Sequence, residues 1–311
     1  MFTRFFAPSL WMQLHSVLYP KDASMAVSPQ WLLRSSSSLD RGFVQRAKVT
    51  TEPAGDLTKV MVNGISYLWP SQAEVHALLT ILSELTNPLH PHHYLAEQTK
   101  LTPGDVVLDI GANIGEHTVS MALAVGKSGM VLSFDPNPIV FDILKANSEL
   151  NTHLTNIKPF NCAISETDSE YYYNSSEASF SNGGISIEKE NNHGKYQLEQ
   201  KIKGVNLDTF LHQNFEKDLS KLRLIKVDTE GYDKEILKSI AAVISKYKPV
   251  IIAECFPKLN KLERIDLFNT IAKHGYDLYY FRDIDRTTEI IKITQDDMEK
   301  WKHFDIYALP K

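Results

Sequence analysis

From residue 106 onward, short apolar runs alternate with stretches of helical spacing. Val106–Ile110, Met130–Phe134, 157–164, Leu222–Val227 and 250–253 read as buried strands. Between them, Glu116–Val125, Pro138–Leu150, 206–215 and 233–247 repeat apolar residues every three or four positions, as helices do. In 233–247 the buried stripe is Ile236, Leu237, Ile240, Val243 and Ile244. Asn137 before Pro138 supplies a helix start. A further helix at 261–274 stops at Gly275, and Tyr276–Phe281 and 305–309 read as antiparallel edge strands. Repeated strand–helix units predict a mainly parallel sheet with helices on both faces.

Earlier in the chain the pattern is less regular. Residues 60–69 read as a hairpin turning at Asn63-Gly64, and 71–85 as a helix. Residues 165–205, rich in Ser, Asn, Glu, Gly and Tyr, break the alternation and predict irregular loops with short strands. Within them, Tyr171-Tyr172-Tyr173 suggests a strand with one buried face, and 181–186 a Gly-rich loop suited to a lid. The run Ser35-Ser36-Ser37-Ser38 marks a linker or exposed loop. The division expected is an N-terminal extension over 1–55 and a catalytic domain over 56–311, its core about 100–256.

Composition narrows the classes. The 311 residues are 43% hydrophobic and 23% charged, with a net charge of -5. That charge offers no phosphate-neutralising surface, so nucleic acid is not the expected partner. The N-terminal apolar stretch is interrupted by Gln13, His15 and Pro20 and is too short to span a bilayer, so a cytoplasmic enzyme is expected. Cys162 and Cys255 lie in apolar strands without metal-ligand spacing and read as buried thiols. His90, His92 and His93, beside Pro88 and Pro91, offer a metal site as one reading and solvated surface histidines as the favoured one.

In such sheets, ligands sit beyond the carboxyl ends of the strands. The first turn is Asp109-Ile110-Gly111-Ala112-Asn113-Ile114-Gly115. Its glycines permit close backbone approach. A dinucleotide site prefers Gly-x-Gly-x-x-Gly; here the spacing is Gly-x-x-x-Gly, with an acid two residues before the first glycine. That acid disfavours pyrophosphate and suits a cationic nucleoside without phosphate, properties that S-adenosylmethionine has. Asp135, ending the next strand, is placed to accept ribose hydroxyls.

With these segments in place, the chain resembles the FkbM family of S-adenosylmethionine-dependent methyltransferases. The resemblance rests on residues 107–118, Phe134-Asp135-Pro136-Asn137-Pro138, Asn161-Cys162-Ala163-Ile164-Ser165, Asn206-Leu207-Asp208-Thr209-Phe210, residues 225–233 and residues 249–254. It covers roughly residues 67–255 and leaves out 1–55. Two positions depart from it: Asp135 where Glu is commoner, and Thr229 where a small apolar residue is commoner. The resemblance implies a Rossmann-like class I methyltransferase fold, with a mainly parallel seven-stranded sheet and an N-terminal extension. It also implies methyl transfer, usually to a hydroxyl of a sugar, polyketide or other metabolite.

The expected donor-binding set is Asp109, Gly111, Asn113, Gly115, Asp135, Asn137, Ala163 and Asp228. The expected catalytic set is Asp228, Glu230 and His117. Asp228 is read as base, acceptor-orienting group or metal ligand, a divalent metal being one open route to activating a hydroxyl. Alternatively, Asp228 and Glu230 serve the start of the following helix. Glu254 is read as a further acceptor or metal contact, Lys226 as an ion-pair partner of Asp228 or Glu230, and His117 as either a site residue or a helix-surface histidine. A nicotinamide-dependent oxidoreductase and a non-catalytic cofactor-binding module are the competing readings. The glycine spacing opposes the first and the intact acids oppose the second.

Overall fold

The computed structural model describes residues 49–55, 57–62, 64–70, 101–175, 184–186, 196–281 and 291–311. The expected helix at 71–85, the histidines near residue 90, the serine run and residues 181–183 of the Gly-rich loop lie outside them.

The chain divides into two compact units, Met1–Gln72 and Ala73–Lys311. In the first, β1 (Val49–Ala54), β2 (Leu57–Val62) and β3 (Ile65–Pro70) form an antiparallel sheet. The β2–β3 turn closes with Val62 opposite Ile65, and Gly64 takes φ 89°, as the Asn-Gly pair predicts. The hairpin lies within the first unit.

The second unit is built on one large sheet. Its parallel part comprises β4 (Val106–Ile110), β5 (Met130–Phe134) and β6 (Ile157–Phe160). After these, β7 (Ala163–Ile164), β8 (Ser169–Ser175), β9 (Gly184–Ser186), β10 (Tyr196–Gln197) and β11 (Ile202–Val205) form a separate smaller sheet. The large sheet resumes with β12 (Leu222–Val227), β13 (Val250–Cys255), β14 (Tyr276–Phe281), β15 (Ile291–Lys292) and β16 (Phe304–Pro310). Its order is β15-β14-β16-β13-β12-β4-β5-β6. Strands β6, β5, β4, β12 and β13 run parallel, while β16 inserts antiparallel between β13 and β14. This is the Rossmann-like class I methyltransferase architecture, with two-residue β15 as an eighth strand beyond the seven expected.

Helices α1 (Glu116–Val125), α2 (Pro138–Leu150), α3 (Leu207–Phe215), α4 (Asp233–Ser239), α5 (Ala241–Tyr247) and α6 (Lys261–Ala272) complete the unit. Strand alternation divides the core between two faces. Val106, Leu108, Ile110, Ile225, Val227, Ile251 and Ala253 pack with Leu211, Leu237, Ile244 and Leu267 of α3 to α6. Val107, Val131, Leu224 and Ile252 pack with Ala122 and Val125 of α1. Apart from the added strand, the structure corrects three local expectations. The stripe over 233–247 is buried as expected, but Ile240 (φ -110°, ψ 25°) breaks it into α4 and α5. The run 157–164 splits between two sheets because Asn161 turns aside, its Nδ2 donating to the carbonyls of Asp135 and Pro136. The short strands expected in the insert pair into a small sheet, with Tyr171 and Tyr173 buried and Tyr172 half-buried, as a strand with one buried face requires. Strand β14 is flanked by β15 and β16 rather than lying at an edge.

Two local arrangements hold the carboxyl edge of the sheet in shape. Gly111 has φ 80°, and a Cβ there would lie 1.8 Å from the Asp228 carbonyl oxygen. The turn after β4 therefore closes directly onto the end of β12. The need for glycine that the sequence suggested at a ligand is met first by this neighbouring strand. At the other side, buried Arg264 of α6 donates to the carbonyls of Leu259, Met298, Trp301, Phe256 and Lys302 at 2.6–3.3 Å. It ties α6 to the segment leading into β16.

Gly111→Ala is expected to cost about 3 kcal/mol or more, through backbone overlap and a left-handed φ, seen as a lower urea midpoint. Arg264→Met is expected to cost roughly 2–4 kcal/mol, because several buried carbonyls lose their donor. A midpoint within error of the parent chain would contradict either expectation.

Candidate functional site

Asp109, near the end of β4, is fully buried. Its Oδ2 accepts from Thr118 Oγ1 of α1 at 2.5 Å, and its Oδ1 accepts no hydrogen bond among the described residues. Lys226 stands opposite in the β12 register, with Nζ 3.8 Å from Asp109 Oδ1. The same ammonium donates to Asp228 Oδ2 at 3.1 Å. Burial pushes the Asp109 carboxyl up from its ordinary value, opposed by the Lys226 charge and the Thr118 hydrogen bond. For Lys226, burial works against the charge, but Asp228 and Asp109 outweigh it and the ammonium is held charged. The ion-pair role expected of Lys226 is thus observed, with Asp109 as a second partner.

Asp135 follows β5 and is also buried. Its Oδ2 accepts from the Asn113 N–H at 2.8 Å and its Oδ1 from the Asn137 N–H at 2.9 Å. Burial pushes its pKa up to about 7 despite these two donors. One side chain therefore joins the loops after β4 and β5. Each oxygen keeps a second acceptor site for a ligand hydroxyl. Asn113 takes the left-handed backbone (φ 52°), and Asn137 caps α2 by accepting from the Ile139 N–H at 3.0 Å. Gly115 begins α1 with φ 93°, and a Cβ there would lie 2.9 Å from Leu144 Cδ1 of α2.

Asp228 follows β12, its N–H donating to the Ile110 carbonyl at 3.0 Å and its side chain open to solvent. Glu230 is exposed on a left-handed backbone (φ 56°) next to Gly231 (φ 105°). Tyr232, at the N-cap of α4, makes no side-chain cap hydrogen bond, and buried Asp233 ties that turn: its Oδ2 accepts from Thr229 Oγ1 at 2.9 Å, and its Oδ1 accepts from the Glu254 N–H at 3.1 Å. Burial raises Asp233 to about 7, and the charge of Asp228 adds to the effect. Thr229, one of the departures from the family pattern, thus has a structural task. His117 lies half-buried in the first turn of α1. Ala163 is buried in the smaller sheet, packed with Tyr173 and Ile202, and Tyr173 shares a hydrogen bond with Asn137.

The fold thus brings Asp109, Gly111, Asn113, Gly115, Asp135, Asn137 and Asp228 to one strand edge. Next to them lies a pair that sequence reading half missed. Glu254 of β13 is buried, with its Oε1 2.9 Å from His303 Nε2, and Asp305 stands opposite it in the register. Burial pushes Glu254 far up, and Asp228, Asp233, Glu230 and Asp305 push it the same way. His303 belongs to no motif; only the antiparallel β16 brings it here. Cys162 and Cys255 are buried free thiols, as expected. Among the described residues, no group of three or more His, Cys, Asp or Glu is arranged to hold a metal ion, and no helix is long and apolar enough to cross a membrane.

Comparison with known proteins places this geometry in context. A family model described as the methyltransferase FkbM domain matches residues 109–278. The hexuronic acid methyltransferase AglP of Haloferax volcanii is 26% identical over 148 residues, covering 48% of this chain and 55% of the relative. The methyltransferase sdnD of Sordaria araneosa is 25% identical over 155 residues, covering 43% of this chain and 60% of the relative. The chain therefore spans little more than half the length of these curated relatives. The crystal structure of methyltransferase FkbM from Methylobacillus flagellatus aligns with a TM-score of 0.42 at 16% identity, over 76% of this chain and 55% of that one. Since the family match takes in more than half the chain, from the glycine turn after β4 to strand β14, this chain belongs to the FkbM methyltransferase family.

Proposed function

We propose that this chain transfers a methyl group from S-adenosylmethionine to a hydroxyl of a sugar or related small metabolite. The observation that carries the reading is the acid-lined strand edge of an FkbM-family chain. Asp109 holds a buried oxygen without a hydrogen bond among the described residues, Asp135 presents acceptor oxygens, and Asp228 lies open beside Lys226. Such an edge repels a pyrophosphate and suits a cationic, phosphate-free nucleoside. The residues fit the donor group by group: Asp109 and the turn from Gly111 to Gly115 for its amino-acid end, Asp135 for the ribose, and Asn137 and Ala163 toward the base.

When bound, the donor supplies a methyl carbon on a positively charged sulfur, so the leaving group needs no further activation. The chain's own task is to hold the acceptor in line with that carbon, exclude water and receive a proton. Asp228, Glu230 and His117 are the acceptor-side groups in this reading. Asp228 is already paired with Lys226, which suits it to orient a hydroxyl. A sugar acceptor is favoured because one relative is named as a hexuronic acid methyltransferase.

Calorimetry with S-adenosylhomocysteine is expected to give micromolar affinity, roughly 8 kcal/mol. Asp135→Ala should weaken this binding, whereas Asp228→Asn should spare it and lower turnover on a responsive sugar from a panel of uronides and neutral glycosides. Equal loss of binding in both variants, or preferential binding of a nicotinamide dinucleotide, would contradict the assignment.

The Asp135 value of about 7 also sets a pH dependence. Ribose hydroxyls donate to the carboxylate, so a protonated Asp135 must first lose its proton. Affinity for S-adenosylhomocysteine should therefore rise as pH increases through about 7, and this rise should vanish in Asp135→Asn.

A further inference from the structure

The insert between β6 and β12 reaches back to the carboxyl edge of the large sheet. Asn161, two residues before β7, donates through Nδ2 to the Asp135 and Pro136 carbonyls at 2.9 and 3.2 Å. Ala163 of β7 packs with buried Tyr173 of β8. Alternation along β8 puts Tyr171 and Tyr173 on one face and Tyr172 on the other. The Tyr173 backbone is fixed by its pairing with Ile185 of β9, and its carbonyl accepts from the Leu198 N–H at 3.0 Å. The ring therefore stands on a paired strand beside the loop that carries Asp135.

The phenol end reaches that loop. It shares a hydrogen bond with Asn137, whose Oδ1 accepts from the Ile139 N–H and whose backbone N–H donates to Asp135 Oδ1 at 2.9 Å. The acids that act on it are Asp135 after β5 and Glu230 after β12. Burial raises the phenol's pKa and these acids add to the rise, so the hydroxyl keeps its proton. The Asn137 hydrogen bond works the other way, as one donated to the phenol oxygen does. The O–H proton is then left for a further acceptor. Phenylalanine would make the same apolar contacts with Ala163 and Ile202 without burying a hydroxyl, so packing alone is a poor reason for tyrosine here.

We propose that Tyr173 is a donor-binding residue whose O–H donates to a ribose hydroxyl oxygen of S-adenosylmethionine. This rests on the reading of the chain as an S-adenosylmethionine-dependent methyltransferase with Asp135 as the ribose acid. A ribose hydroxyl both donates and accepts. Its proton goes to Asp135, each of whose oxygens keeps a second acceptor site. Its oxygen needs a donor, which an ionised carboxylate is not and the phenol beside it is. The smaller sheet thereby takes a direct part in holding the donor, and Tyr173 makes the site selective for a nucleoside with its ribose hydroxyls intact.

The test compares S-adenosylhomocysteine with its 2′-deoxy and 3′-deoxy analogues by calorimetry on the full chain. In Tyr173→Phe, affinity for S-adenosylhomocysteine should fall about 3- to 10-fold, as loss of one hydrogen bond implies. With the analogue that lacks the hydroxyl concerned, Tyr173→Phe and the parent chain should bind equally. A tyrosine with only a packing role would not distinguish the three nucleosides. A second measurement uses the parent chain alone, with ¹³Cζ-labelled tyrosine and Tyr173 assigned through its contacts with Ala163 and Ile202. Its signal should move on addition of S-adenosylhomocysteine and move less with that analogue. Undiminished affinity in Tyr173→Phe, the same fold-loss for all three nucleosides, or a Tyr173 signal indifferent to the ligand would overturn the proposal. Failure of the parent chain to bind S-adenosylhomocysteine would instead overturn the methyltransferase reading on which it stands, so the two failures are distinguishable.

Discussion

Lys226 holds two carboxylates that would otherwise repel each other at the ends of the paired strands β4 and β12. Its ammonium lies 3.8 Å from buried Asp109 and 3.1 Å from Asp228. Without it, Asp109 would be an uncompensated acid in the interior, a state in which such groups take up a proton. With it, the edge stays acidic where β4, β12 and β13 end together. The remaining site residues take their places around this pairing: Thr118 on the far oxygen of Asp109, Asp228 on the outer side, and Glu254 with His303 one strand further.

Backbone closeness keeps this charge arrangement in register. Gly111 lets the turn after β4 touch the Asp228 carbonyl, and the Asp228 N–H returns a hydrogen bond to Ile110. Asp135 then spans two loops by accepting from Asn113 and Asn137. Asp233 does the same between Thr229 and the β13 backbone. The buried carboxylates of Asp135 and Asp233 thus act as clamps at strand ends, each held by backbone or hydroxyl donors. The clamps join the strand-end loops, and holding reacting groups in line is one way such an edge can speed a methyl transfer.

Much of this was legible in the residues themselves. Local patterns are strong where a strand is buried on both faces, so β4, β5, β12 and β13 and the helices between them lie where the apolar runs put them. The glycine turn and the acids at strand ends were legible because a parallel sheet confines its ligand edge to those positions. The split of 157–164 was not legible, since it depends on Asn161 reaching the carbonyls of the loop after β5. Nor was the smaller sheet, whose strands are short and paired with partners distant in the chain.

The sequence by itself determined the order of strands and helices, the place of the acid-flanked glycine turn and the family to which both belong, because these follow from spacing along the chain. Only the tertiary structure decided that Gly111 answers to a neighbouring strand, that Lys226 serves two acids, and that His303 stands beside Glu254. The reason is that β16 runs antiparallel into the middle of the sheet. Residues 49 positions apart in the chain are brought into hydrogen-bond contact by that insertion, and no local periodicity records it.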